Sequence, residues 1–355
     1  MRFFNSCAEA MASIGIDMPE ELKVVETAYP VYLNSYYLSL IDRSDWRHDP
    51  IALQAFPRFD ELADQCSSFD PLAEEEQMPV NKMIHRFRDR VVVLTTGVCA
   101  MRCRFCFRKR EWAAGNFLPE LSDQELEDIV NYLRCHSEIR EVLLSGGDPL
   151  MLPFERLLKI AREIKALPNI DIIRIGTRVP VVYPQRITPE LAQALSEIPG
   201  LWIATHFNHT RELTPEALQA CKLFTTHGIP VVNQTVLLKN VNDSADILEE
   251  LFRKLVANRI KPHYLFHVDP VRGVRHFATG IECGLDILRT FRSRLSSLAV
   301  PTFAIDLPQG GGKVALQPDY CFDGKYPDIY DQKWIAYETR LPESGSSNWS
   351  MSEPV

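Results

Sequence analysis

The sequence predicts an α/β fold: a mostly parallel sheet wound as a barrel or partial barrel, with a doubly wound open sheet as the alternative. Apolar runs rich in β-branched residues begin near Val91, Glu141, Asp171, Leu201, Pro230 and His263, and Pro301–Asp306 reads as a seventh. After a first interval of 50 residues the starts fall 30, 30, 29 and 33 apart, the length of a strand with its crossover helix. The runs are near-continuously apolar, as in strands covered on both faces. Polar residues gather where they end: Cys99, Ser145 to Asp148, Thr177 with Arg178, His206 with Asn208, Asp269 and Asp306, and Gln234 lies inside the fifth run. In βα barrels that end of the strands is the functional mouth.

Residues 1–85 mix short helical patterns with loops at Pro50, Pro57, Pro71 and Pro79, and are expected to form a mostly helical N-terminal region. Residues 86–300 hold the strand and helix units. Residues 301–340 follow with the last run and a glycine–lysine segment. From Glu343 the chain turns small and polar (ESGSSNWSMSEPV), so 341–355 is expected to be disordered. The 355 residues, 46% hydrophobic and 24% charged, can bury a large core. No apolar run is long enough for a membrane helix, and Met1–Met11, broken by Asn5, Ser6 and Glu9, does not read as a signal peptide. A net charge of -8 argues against nucleic acid as the main ligand. Nine cysteines without an export signal point to metal ligands, nucleophiles or core thiols rather than disulfides.

The sharpest motif is Cys99-Ala-Met-Arg-Cys103-Arg-Phe-Cys106, three thiols within eight residues after a strand. Such a set can converge on one soft metal centre. A [4Fe–4S] cluster with one iron left open fits it, whereas zinc would need a fourth ligand such as His85 or His136. The other cysteines, Cys7, Cys66, Cys135, Cys221, Cys283 and Cys321, show no ligand spacing. Gly310-Gly311-Gly312-Lys313 is no phosphate-binding P-loop, because Leu307 and Val314 stand where that motif needs glycine and Ser/Thr. It suggests backbone passing close to a bulky ligand, beside an amine able to condense with an aldehyde such as pyridoxal phosphate; a surface turn with a solvated lysine is the plainer reading. Asp269 and Asp306 at one mouth would attract a cation. Arg108 could grip a carboxylate through two bonds, and Arg86 and Arg90 could serve a phosphate. Ser145-Gly146-Gly147 allows close backbone approach of a nucleotide-like ligand.

Taken together these motifs resemble the lysine 2,3-aminomutase family of radical S-adenosylmethionine (SAM) enzymes. The likeness runs from about Tyr36 to about Pro318 and includes DPL at Asp70, HRFRDRV at His85, CRFCFRKR at Cys103, LLSGGDPL at Leu143, RIGTRVPVVYPQRITPEL at Arg174, THFNH at Thr205, NQTVLLKNVND at Asn233, HFATG at His276 and PTFAIDLPQGGGK at Pro301. The resemblance implies a partial (βα)6 TIM-like radical SAM barrel, with a C-terminal segment that carries the pyridoxal phosphate lysine. It implies an isomerase that moves the amino group of L-lysine from C2 to C3. Cys99, Cys103 and Cys106 would hold the [4Fe–4S] cluster, with SAM on its open iron near Ser145, Gly146, Gly147, His206, Asn208 and Gln234. Lys313 would carry pyridoxal phosphate, with Arg86 and Arg90 towards its phosphate. Arg108 would bind the substrate carboxylate, and Asp269 with Asp306 its side-chain ammonium. Arginine or ornithine is the alternative substrate. One branch of relatives supplies β-lysine for elongation factor P, and some of its members lack the second acid that is present here as Asp306. Arg272 and Arg275 are departures that bear on simple lysine binding. Ser244 stands where some relatives have a zinc-ligating cysteine, so no such zinc is expected. The partners implied are a small amino acid and a flavodoxin- or ferredoxin-type electron donor, with no nucleic acid or membrane, in the cytoplasm, with room for a homo-oligomer.

Overall fold

The computed structural model describes residues 1–64, 67–113, 117–330 and 333–337. Cys66 and the tail 341–355 lie outside them. The chain divides into a unit of residues 1–316 and a second of residues 317–355.

The first unit is built on a nine-stranded sheet, numbered in chain order β1 (Met83–Phe87), β2 (Arg90–Thr96), β3 (Glu141–Gly146), β4 (Ile172–Gly176), β5 (Leu201–Thr205), β6 (Val231–Leu237), β7 (Ile260–His267), β8 (Thr302–Leu307) and β9 (Gly312–Leu316). Strands β2 to β8 are parallel and are the seven runs read from the sequence. Spatial order equals chain order throughout. A doubly wound sheet reverses at a switch point; this one does not, which decides for the partial barrel. Its edges β1 and β9 are antiparallel to their neighbours and do not pair with each other. Neither edge strand was read from the sequence. MIHRF has no apolar alternation, and GKVAL follows three glycines.

The crossovers are α1 (Asp123–Cys135), α2 (Phe154–Lys165), α3 (Pro189–Ser196), α4 (Pro215–Thr226), α5 (Ala245–Ala257) and α6 (Ile281–Arg294). Local chemistry starts them. Ser122 and Glu125 form a capping box, and Thr188 and Thr214 cap α3 and α4 ahead of a proline in the first turn. In α2, Leu157, Leu158, Ala161 and Ile164 fall on the stripe buried against the sheet. In β2 to β4 the helix-facing residues Val91, Val93, Val142, Leu144, Ile173 and Ile175 are buried. The alternate residues, among them Arg90, Leu143 and Arg174, are half-buried and face the lumen. The strands are therefore less uniformly apolar than expected, because a polar lumen interrupts the inner face.

Short helices punctuate the region before β1, at Cys7–Ser13, Leu22–Ala28, Ser35–Ser39, Pro50–Ala55 and Asp60–Ala63, with more loop between them than the expected mostly helical region. This region clamps the cysteine loop. Asn34 Nδ2 donates to the carbonyls of Ala100 (3.1 Å) and Val182 (2.9 Å), and the amides of Arg102 and Arg104 donate to the carbonyls of Tyr32 and Gln54. The second unit contains an antiparallel pair, Lys325–Pro327 with Trp334–Ala336. Among the described residues no helix is long and apolar enough to cross a membrane.

Candidate active site

Cys99, Cys103 and Cys106 lie on the loop that leaves β2, and all three residues are half-buried. Burial pushes the Cys99 and Cys106 thiols up, and the neighbouring cysteines add to it. Three thiolates here therefore need a compensating positive centre, which a metal cluster supplies. Arg178, at the end of β4, donates Nη1–H to Cys103 Sγ at 2.8 Å and Nη2–H to Glu212 and Gln54 at 2.6 Å each. Among the described residues no three His, Cys, Asp or Glu side chains close round a single ion; a cube of iron and sulfide spreads its ligands more widely. His85 and His136, invoked for zinc, pack with Tyr132 instead: His85 Nδ1 lies 2.9 Å from Tyr132 Oη, and the His136 ring stacks on Tyr132.

The turn Ser145-Gly146-Gly147 presses on this loop. A Cβ at Gly147 would fall 2.5 Å from the Val98 carbonyl oxygen, and one at Gly146, where φ is +108°, would fall 2.6 Å from that of Thr96. The glycines therefore let the chain's own cysteine loop approach this turn closely. Asp148 ties the ends of β3 and β4 by accepting from Thr177 Oγ1 and the Arg178 amide at 2.7 Å each. His206 Nε2 lies 3.0 Å from Asn208 Oδ1, and burial and Arg178 push the imidazole down to about 3, so it is neutral. The buried Asn208 also donates to Gln54 and accepts from the Val236 amide. Gln234 faces Tyr264 in the β6–β7 register.

Farther along the sheet, Lys313 in β9 stands opposite Asp306 in β8, with Nζ 2.6 Å from Asp306 Oδ2. The rings of Phe266 and Tyr264 approach the ammonium at 4.0 and 5.2 Å. The three glycines serve the hairpin between these strands: Gly310 and Gly312 have φ of +74° and +85°, and a Cβ at Gly310 would meet the Gln77 side chain. Burial lowers the Lys313 ammonium below its usual range against the pull of Asp306. Arg86 reaches Asp306 at 4.0 Å and is fixed by Gln77 Oε1 (2.9 Å) and the Leu72 carbonyl (2.8 Å). Arg86, Arg90 and Arg174 line one cavity with Phe87 and Leu143, and Arg174 Nε is buried without a hydrogen-bond partner.

Arg108 is buried. Glu74 accepts from its Nε (2.9 Å) and Nη2 (2.8 Å), and Ser145 Oγ accepts from its Nη1 (3.1 Å). Arg272, one of the departures, bonds the Ser67 carbonyl and lies over the Phe69 ring at 4.4 Å. Arg275 is exposed.

Sequence comparison gives this geometry its context. The Radical SAM superfamily profile matches residues 93–252, and the Lysine-2,3-aminomutase profile matches residues 288–325. L-lysine 2,3-aminomutase of Clostridium subterminale is 42% identical over 298 residues, 84% of this chain and 71% of that protein. The Fusobacterium nucleatum enzyme of the same name is 40% identical, over 86% of this chain and 72% of its own length. The chain belongs to the lysine 2,3-aminomutase family. Glutamate 2,3-aminomutase of Clostridioides difficile is 38% identical over 85% of this chain and 71% of that protein.

As a lysine 2,3-aminomutase family member the chain is an isomerase of the radical SAM superfamily, using a [4Fe–4S] cluster, SAM and pyridoxal phosphate. Its residues fit these groups. The cysteine loop offers three thiols to the cluster, and the cavity brings Arg86, Arg90 and Arg174 together for a phosphate, with Glu74 also in its lining and Arg174 paired to Glu141 through Nη2. Sequence reading missed Arg174 and Glu74. Arg174 opens a quoted motif but sits mid-strand, and Glu74 follows DPL within an acidic run that reads as solvated.

Asp269 follows β7. Burial first, and then Asp306, push its carboxyl up to about 7. A raised carboxyl means that the folded state holds its proton above the ordinary value of 3.8. Stability without a bound cation is then lost as pH rises from there through about 7. Asp269→Asn is accordingly expected to melt above wild type at pH ~8 and level with it at pH ~4, as read by calorimetry without substrate.

Proposed function

We propose that the chain is an L-lysine 2,3-aminomutase, converting L-lysine to β-lysine. The observation that carries the reading is the placement of two carboxylates, Asp269 after β7 and Asp306 on the neighbouring strand β8, with Lys313 Nζ 2.6 Å from Asp306. Together they attract the side-chain ammonium of lysine and repel the side-chain carboxylate of glutamate. When bound, the cluster with SAM supplies the hydrogen-abstracting radical, and pyridoxal phosphate on Lys313 carries the migrating amino group. Arg86 and Arg90 would hold the phosphate, and Arg108 the α-carboxylate. Cys99, Cys103 and Cys106 would hold the cluster, and Ser145, Gly146, Gly147, His206, Asn208 and Gln234 would lie about SAM. Phe266 and Tyr264 would keep water from the lysine amine. An exposed cluster of this kind favours a reducing cytoplasm and a low-potential flavodoxin- or ferredoxin-type donor.

The test is anaerobic turnover of the reconstituted enzyme with L-lysine, L-arginine, L-ornithine and L-glutamate offered separately. Mass spectrometry is expected to find a β-amino acid from lysine. A β-product from arginine or ornithine alone would move the substrate, and one from glutamate alone would overturn the reading of the two aspartates.

A further inference from the structure

We infer that Glu74 is the positioning residue that aims Arg108 at the substrate's α-carboxylate, an inference that rests on the lysine reading above. A guanidinium has five N–H donors. In Arg108, Glu74 takes one on Nε and one on Nη2, and Ser145 takes one on Nη1. One N–H remains on each terminal nitrogen for a substrate carboxylate. Glu74 thus fixes Arg108 at one edge without exhausting its donors.

Glu74 is held as firmly as it holds. Its side chain is 5% exposed, and Arg110 Nη2 donates to Oε2 at 3.0 Å. Burial works against ionisation, but the two arginines outweigh it and keep the carboxyl below its usual range. The same short loop fixes Arg86 through the Leu72 carbonyl and Gln77. One segment of the N-terminal region therefore sets the two arginines proposed for the substrate carboxylate and the cofactor phosphate.

The test compares L-lysine with 1,5-diaminopentane, which is lysine without its α-carboxylate. Each is titrated into the reconstituted holoenzyme while the pyridoxal phosphate absorbance is followed, and KM and kcat are measured alongside. Glu74→Gln keeps the shape and removes the charge. It is expected to weaken lysine binding about 10-fold, to change diamine binding less than about twofold, and to add nothing in an Arg108→Ala background. Glu74→Asp retains the charge on Arg110 and guards against a folding failure; it is expected to show a smaller loss of the same selective kind. Equal weakening of both ligands would reduce Glu74 to a structural part. Unchanged or tighter lysine binding would mean that Glu74 competes with the substrate for Arg108, and would overturn the inference. If the wild type itself does not prefer lysine to the diamine, the assignment of Arg108 fails, and this inference with it.

Discussion

Replacing Asp306 with asparagine is expected to lower kcat/KM for L-lysine by about 10²- to 10³-fold, since removing one partner of a buried charge pair costs about 3–5 kcal/mol and partial exposure trims the upper end. The Asp306 side chain is 15% exposed and faces three charged groups: Lys313 at 2.6 Å, Arg86 at 4.0 Å and the Asp269 carboxyl. Asparagine leaves a single carboxylate for a substrate ammonium that has lost its water. It also removes the second cause, after burial, of the raised Asp269 carboxyl, so the remaining acid ionises more readily and recovers part of the loss. Steady-state rates for lysine under anaerobic conditions check the magnitude. Unchanged kinetics would remove Asp306 from the substrate site.

The parallel scaffold was legible because each crossover unit repeats a chemical pattern, an apolar run and then a capped amphipathic helix. The flanking strands were not legible, because β1 carries His85 and Arg86 at successive positions, one towards Tyr132 and the other towards Asp306, and β9 begins in a glycine turn. At the site, the cysteine spacing and the glycine–lysine run were visible because each is contiguous in sequence, whereas the pairing of Lys313 with Asp306 was not read. Glu74 and Arg108 are 34 residues apart, and Arg178 and Cys103 are 75 apart. Only the fold brings such partners together. The glycines of the SGG and GGG turns carry a further constraint of the same kind. Their sequence gives no sign that the Val98 carbonyl crowds one turn and the Gln77 side chain the other.

Exchanging Lys313 for alanine is expected to abolish β-lysine formation, by at least about 10³-fold, and to remove the protein-bound pyridoxal phosphate absorbance. Lys313 has two separable duties. It presents an amine for the cofactor aldehyde, and it supplies the cation that Asp306 faces across the β8–β9 hairpin. Arginine separates them, because its guanidinium stays protonated and cannot condense with an aldehyde, yet it can pair with a carboxylate. Lys313→Arg should therefore be as inactive as the alanine variant but melt nearer to wild type at pH ~8, where Asp306 and Asp269 would otherwise repel each other without a cation between them. Absorbance, turnover and melting temperature measured on the same two variants check this. If both bind pyridoxal phosphate and turn lysine over, the amine of Lys313 is not where the cofactor is held. If both are inactive and melt alike, the ion pair with Asp306 contributes nothing to the resting fold, and the only duty of Lys313 is chemical.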